Sequence, residues 1–201
     1  MPSTPLAPLD ELDAVNTMLE SIGQAPVSSL STVGLGDVSL ARATLQRRTR
    51  SLQLLGWAFN TDEDYELIPD TQGILRVPQG VLRIDPMDRG TALRSRKHPS
   101  GFWAIWDGGN RRWTFTERPK FRVVWGFPFE DMPETARHYV ALSAARIFQK
   151  RIIGSDSLDG FNAEDEQRAW NTLQRDERAT RDTNLFSRNP TLAATVANRR
   201  Y

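Results

Sequence analysis

From Leu9 onward the apolar positions Leu12, Val15, Leu19 and Ile22 recur at steps of three and four, the spacing of one helix face. Gly23 and Pro26 end that helix in the usual C-terminal order. Beyond a Ser/Gly-rich loop, Asp37 is placed to cap a second helix, predicted over 37–56. Its Val38, Ala41, Leu45, Leu52 and Leu55 lie on one side, and Gly56 stops it. Ahead of the first helix, Pro2, Pro5 and Pro8 make residues 1–8 an extended arm. At Trp57 the period changes. Short runs (WAF, YELI, GILRV, VLRI, FWAIW, RWTF, FRVVW) alternate with glycine and proline as far as Glu130, which predicts antiparallel strands. The clearest hairpin joins Phe102–Trp106 to Arg112–Phe115 through Asp107-Gly108-Gly109-Asn110, residues that tolerate positive φ.

Helix then returns. Pro133-Glu134 opens a segment over 133–153, in which Ala136, Val140, Ser143, Ala144 and Ile147 form a small-residue stripe suited to close packing. Asn162, followed by Glu164-Asp165-Glu166, predicts a fourth helix over 162–180, polar nearly all round apart from Phe161, Trp170 and Leu173. Residues 182–201 show no periodicity. The pattern therefore predicts an α+β chain in which 9–56 and 131–181 build a helical bundle. An antiparallel β-rich domain is inserted at 57–130, and 182–201 is a flexible tail.

Composition narrows the chemistry. The 201 residues are 39% hydrophobic and 25% charged, ordinary values for a globular chain. A formal charge of +1 supplies no large field to recruit nucleic acid or membrane. No apolar run approaches the roughly 18–20 residues that span a bilayer, and MPSTPLAPLDELD lacks the order of a secretory signal. Cysteine is absent and only His98 and His138 are present, which excludes thiolate catalysis and sulfur-built zinc sites. No metal, cofactor or catalytic residue is expected.

Several patterns have a functional and a plain reading. Gly34-Leu35-Gly36-Asp37 lacks the further glycine and the Lys-Ser/Thr ending of a phosphate loop, so a plain loop is expected. Asp62-Glu63-Asp64-Glu66 lacks the oxygen-and-glycine order of a calcium loop and reads as a solvated turn between strands. His138 has no second histidine at helical spacing and reads as structural, and no Gly-x-Ser-x-Gly elbow occurs. Arginine outnumbers lysine 23 to 3. Bidentate pairing across interfaces and the codon bias of a GC-rich genome both account for that. Trp106, Arg111, Arg112 and Trp113 would suit stacking of a single strand, but a packed sheet face with Phe102, Ala104 and Trp106 on one side explains them more simply.

Three segments carry a resemblance. LDAVNTMLESIGQAPVSSL, then LLGWAFNTDEDYELIPD, then FPFEDMPETARHYVALSAARIFQKRIIGS resemble the tail tubular protein A family, the adaptor or gatekeeper proteins of T7-type short-tailed bacteriophages. The likeness runs over most of 9–175 in family order and is weaker through 73–120 and in the tail. It implies a structural virion protein rather than an enzyme. It also implies a twelve-fold ring between the portal and the nozzle made of tail tubular protein B, assembled in the host cytoplasm, with double-stranded DNA passing through. A helical bundle with a β-rich insertion is the fold it implies. A near-neutral chain suits that conduit, since each neutralised phosphate adds affinity that would stall ejection.

Contacts follow as expectations. The loops at 62–73, 85–100 and 107–111 would meet the nozzle, with Asp107, Asn110 and Arg111 at the tip of the last. The tail would order on the portal or on a neighbouring subunit through Phe186, Arg188, Arg199, Arg200 and Tyr201, residue types that favour interfaces. Two alternatives from other classes stay open: a nucleic-acid-binding module built on the Arg/Trp-rich middle and basic tail, and a hydrolase, which would need two carboxylates converging in a pocket.

Overall fold

The computed structural model describes residues 7–31, 36–88, 90–154 and 156–188, the stretches 156–162 and 182–188 by helix backbone alone. In chain order the elements are α1 (Glu11–Glu20), α2 (Gly36–Gln53), β1 (Thr61–Glu66), β2 (Val81–Pro86), β3 (Leu93–Lys97), β4 (Trp103–Asp107), β5 (Lys120–Trp125), α3 (Glu134–Ile152) and α4 (Asp156–Arg188). Helices at both ends and antiparallel strands between them make the chain α+β. It forms two compact units. One comprises the chain up to Leu52 together with that from Pro128 onward, and the other is Gln53–Phe127, where the sequence texture placed the insertion at 57–130.

In the helical unit, α1 starts with a capping box: Asp10 Oδ1 accepts the Asp13 N–H at 2.7 Å and Asp13 returns the bond. Val15 and Leu19 of the expected stripe are buried, with Ala14 and Met18 beside them. α2 buries Val38, Ala41, Leu45 and Leu52 but ends at Gln53, three residues short of the expected stop. Gly56 takes φ +76° and donates its N–H back to Gln53, which turns the chain away. Leu55, expected on the buried side, is 59% exposed as a result. α3 buries Ala136, Val140, Ser143 and Ala144 as expected, and adds Phe148, fully buried.

α4 departs most from expectation. It opens at Asp156, not Asn162, and its backbone continues through Arg188, so the first residues of the predicted flexible tail are helical. Gly160 and Asn162 are therefore interior to a helix, a cost of about 1 kcal/mol for the glycine that a 33-residue helix absorbs. Glu164, Asp165 and Glu166 consequently lie past the first turn, where the helix dipole no longer favours them. Residues 189–201, like the arm over 1–6 and the loop at 32–35, lie outside the described residues.

In the β unit, β5 is the central strand of a sheet ordered β1-β5-β2, and β3 pairs with β4 in a second sheet. Leu67, Leu75, Ile105, Phe115, Phe121 and Val123 make one buried cluster. Three expected runs differ. WAF is a 3₁₀ turn over Ala58–Asn60, not a strand. GILRV and RWTF contribute only isolated bridges, Ile74↔Thr114, Arg76↔Ala104 and Asp107↔Arg112, with Pro78 lacking the donor to extend the first run. The expected hairpin of 102–106 with 112–115 is thus reduced to its closing bridge. β4 instead pairs with β3, LRSRK, inside the stretch 85–100 expected to be loop. β3 holds one apolar residue and is a strand because β4 offers it a ladder, not because of its own pattern. Likewise the acidic run 62–66 is strand β1 with a bulge, not a turn, and Asp64 has φ +60°.

Candidate functional site

The residues of the three resembling segments are clamps on distant backbone. Asn16 accepts the Val27 N–H at 2.8 Å and donates to the Val27 carbonyl at 3.1 Å, fixing the chain after α1. Glu134, next to Pro133 at the start of α3, accepts the Leu9 N–H at 3.2 Å, while Arg137 donates to the Leu9 carbonyl at 2.9 Å. In the β unit, buried Asn60 accepts the Trp57 N–H at 2.8 Å and donates to the carbonyls of Gln53 (3.0 Å) and Trp125 (2.7 Å). Gln53 in turn donates to the Phe127 carbonyl and accepts the Phe127 N–H, joining the first and last residues of that unit. These groups tie distant stretches of backbone together.

Three helices share one polar network. Arg48 on α2 donates to the hydroxyls of Ser143 (2.6 Å) and Tyr139 (2.7 Å) on α3. Ser143 donates to Glu166 on α4 at 2.6 Å, and Arg146 reaches the other Glu166 oxygen at 2.9 Å. Tyr139 and Trp170 pack ring on ring, centroids 4.9 Å apart. The small residue at 143 therefore serves a hydrogen bond as well as close approach, and Glu166 anchors an otherwise polar helix. His138, on α3, is exposed.

The 107–111 turn is built by its own side chains. Asp107 Oδ1 accepts the N–H groups of Gly109 (3.1 Å) and Asn110 (3.0 Å), and Oδ2 accepts the Asn110 amide at 2.7 Å and Arg112 at 3.4 Å. Of the three predicted tip residues, Asp107 is thus buried and shapes the turn together with Asn110, while Asn110 and Arg111, the latter at φ +53°, are both exposed. A cleft of about 690 Å³ beside it includes Met87, Asp88, Asp107, Arg112, Glu117 and Lys120 in its lining. Asp88 and Asp107 there accept N–H groups of their own turns. Of the other predicted contacts, Phe186 and Arg188 fall where α4 is described by backbone alone, and Arg199, Arg200 and Tyr201 lie outside the described residues.

Trp106 packs on Trp113 with centroids 4.8 Å apart, the Arg96 guanidinium lies over the Trp106 ring at 5.7 Å, and Arg76 lies 3.9 Å over Phe102. Trp103 is 56% exposed. Among the described residues no group of three acidic or histidine side chains is arranged for a metal, and no helix is long and apolar enough to cross a membrane.

Two turn carboxyls titrate abnormally. The Asp70 carboxyl is held below the usual carboxylate range, first by the Arg76 guanidinium at 2.9 Å and then by the Ile74 N–H. Asp107 is lowered chiefly by the backbone N–H and amide of Asn110. A lowered folded pKa contributes stability that is present above the ordinary value near 3.9 and is lost as pH falls through the folded value. Thermal melts from neutral pH down to about pH 3 should therefore show an acid-limb loss that is smaller in Asp107→Asn and Asp70→Asn than in wild type. An identical acid limb in both variants would exclude these turns as its source.

In chain order, helical segments precede and follow a small antiparallel unit, and many of the polar side chains described above bond within the chain. A sequence model of the tail tubular protein family matches residues 12–183. The chain belongs to that family and is a structural component of the phage virion tail. It is similar to the "Tail tubular protein A" of Klebsiella phage KP34, 29% identical over 158 residues, which cover 78% of this chain and 81% of that protein.

Proposed function

We propose that the chain is the head-to-tail adaptor of its virion: a ring, of twelve copies by family resemblance, that sits on the portal and carries the nozzle of tail tubular protein B. The observation that carries this reading is the family match, which runs through both units rather than one. Double-stranded DNA would pass through without being held, in keeping with the +1 charge. Electron microscopy of the purified protein, alone and mixed with portal protein from the same phage, tests it directly. Rings stacked on portal are expected; a chain that leaves the portal bare at all concentrations overturns the reading.

Contacts are assigned within that reading. The 107–111 turn, shaped by Asp107 and Asn110 and tipped by Arg111, would meet the nozzle. The segment with Phe186, Arg188, Arg199, Arg200 and Tyr201 would order on the portal or a neighbouring copy. Two truncations separate its parts. Ending the chain at Arg188 keeps α4 whole, whereas ending it at Arg181 also removes about two helical turns. Among the described residues, α4 is exposed from Arg178 through Arg181, so both truncations should melt near wild type yet lose portal association. Retention by the Arg188 truncation with loss by the other would assign docking to Phe186 and Arg188. Full docking by both would give the segment no part in attachment.

A further inference from the structure

The β unit has strand edges of opposite sign. β1, an edge of its sheet, reads TDEDYE: Asp62, Glu63, Asp64 and Glu66 are all exposed and no base interrupts them. β3 hydrogen-bonds to no strand other than β4, although β2 lies near it, and reads LRSRK, with Arg94, Arg96 and Lys97 exposed and no acid among them. The other flank of β4 is already taken, since Ile105 and Val77 exchange backbone bonds with Leu75 and Trp103. β2, the remaining edge of the first sheet, is neutral and blocked: Arg83 pairs with Asp85 at 3.0 Å and the strand ends in Pro86.

Charge on an edge strand commonly serves to repel other edges. That purpose needs one sign everywhere. Here each edge repels its own kind and attracts the other, so the arrangement blocks β1–β1 and β3–β3 pairing while favouring β1 against β3. Where each copy uses its two edges on two different neighbours, such a contact is head-to-tail and generates rings or open chains. The side chains are available for it. Among the described residues Arg94, Lys97 and Asp64 meet no opposite charge. Glu63 and Glu66 pair with Arg122 and Arg118 at 3.2 and 3.4 Å in exposed bridges that cost little to exchange. Each edge also has one large apolar residue beside it: Ile68, 64% exposed, just past β1, and Trp103, 56% exposed, opposite Lys97.

We propose that the acidic β1 edge of one copy docks on the basic β3 edge of the next, joining the β units head to tail. The bulge between Asp62 and Tyr65 interrupts the β1 ladder, so the contact is short and led by cross-strand charge pairs, with Trp103 as its apolar anchor. The inference rests on the reading of the chain as a ring subunit and names the surface by which copies meet.

Charge exchange tests it. A chain carrying Arg94→Glu and Arg96→Glu has two acidic edges, and one carrying Glu63→Lys, Asp64→Lys and Glu66→Lys has two basic ones. Each alone should assemble on the order of tenfold more weakly than wild type, with or without portal. An equimolar mixture restores both kinds of contact and should recover assembly, which also shows that each variant folds. Wild-type assembly should weaken with added salt. Assembly of either variant alone at the wild-type level, or a mixture no better than its components, overturns the edge contact while leaving the ring reading standing. A wild-type chain that stays monomeric with and without portal overturns both.

Discussion

Replacing Asn60 with alanine should cost roughly 3 kcal/mol, because it removes three buried hydrogen bonds to backbone at once, although the Gln53 carbonyl keeps the Gly56 N–H. The side chain is 1% exposed, and its removal leaves the carbonyls of Gln53 and Trp125 and the Trp57 N–H without that partner. Each buried group left unpaired costs about 1–3 kcal/mol, reduced where water can enter the space vacated. Asn60→Asp should do no better, since a carboxylate keeps the acceptor for Trp57 but turns two favourable contacts into oxygen facing oxygen. Asn16→Ala offers the comparison: it breaks two bonds in a half-buried site and should cost about 1 kcal/mol. Urea unfolding with an unchanged slope measures both. A loss under about 1 kcal/mol for Asn60→Ala would mean that water replaces the clamp, and that Gly56 and the Gln53–Phe127 pair close this unit without it.

The resemblance carried by AVN, GWAFN and DMPE and the physical role of those residues converge on the same places. Asn16, Asn60 and Glu134 each bond backbone outside their own turn, so a change at any of them weakens a tertiary closure. What they close was not legible, because a polar residue beside a glycine signals a turn but not which distant carbonyl it will hold. Local period was legible where the element depends on it. The stripes of α1, α2 and α3 emerged within a few residues of their true bounds, with Leu55 misplaced because the positive φ of Gly56 acts before the apolar spacing runs out. Strands were harder. The apolar runs at 74–77 and 112–115 have the pattern of strands yet make only isolated bridges, while β3, almost wholly polar, is a strand through its partner. α4 hid its start because Gly160 and Asn162 look like breakers; a helix packed by Ala169, Trp170 and Leu173 outweighs both. The 107–111 turn was legible as a turn. Which of its residues faces outward was not, since Asp107 could be assigned to the interior only once Gly109, Asn110 and Arg112 were seen around it.

Phe121→Ala should be the most damaging single change in the β unit, at about 4 kcal/mol. Phe121 is 1% exposed, packs in the cluster with Leu67, Leu75, Ile105, Phe115 and Val123, and lies on the central strand. It faces Tyr65 of β1 in one ladder and Pro86 of β2 in the other. Truncation therefore leaves a cavity where neither flanking strand can close in without giving up its register, which puts the cost toward the upper part of the large-to-small range. Phe121→Leu, which keeps most of the volume, should cost under about 1.5 kcal/mol, and the difference between the two isolates the cavity. Hydrogen exchange should locate the loss: amides of β1, β2 and β5 should lose protection in the alanine variant, while those of α1 and α3 change less. Because the acidic edge is β1 itself, the same variant should assemble poorly even where most molecules remain folded. Protection lost equally in α1 and α3 would show that the two units unfold as one; a wild-type melting temperature would place the core of the β unit somewhere other than around β5.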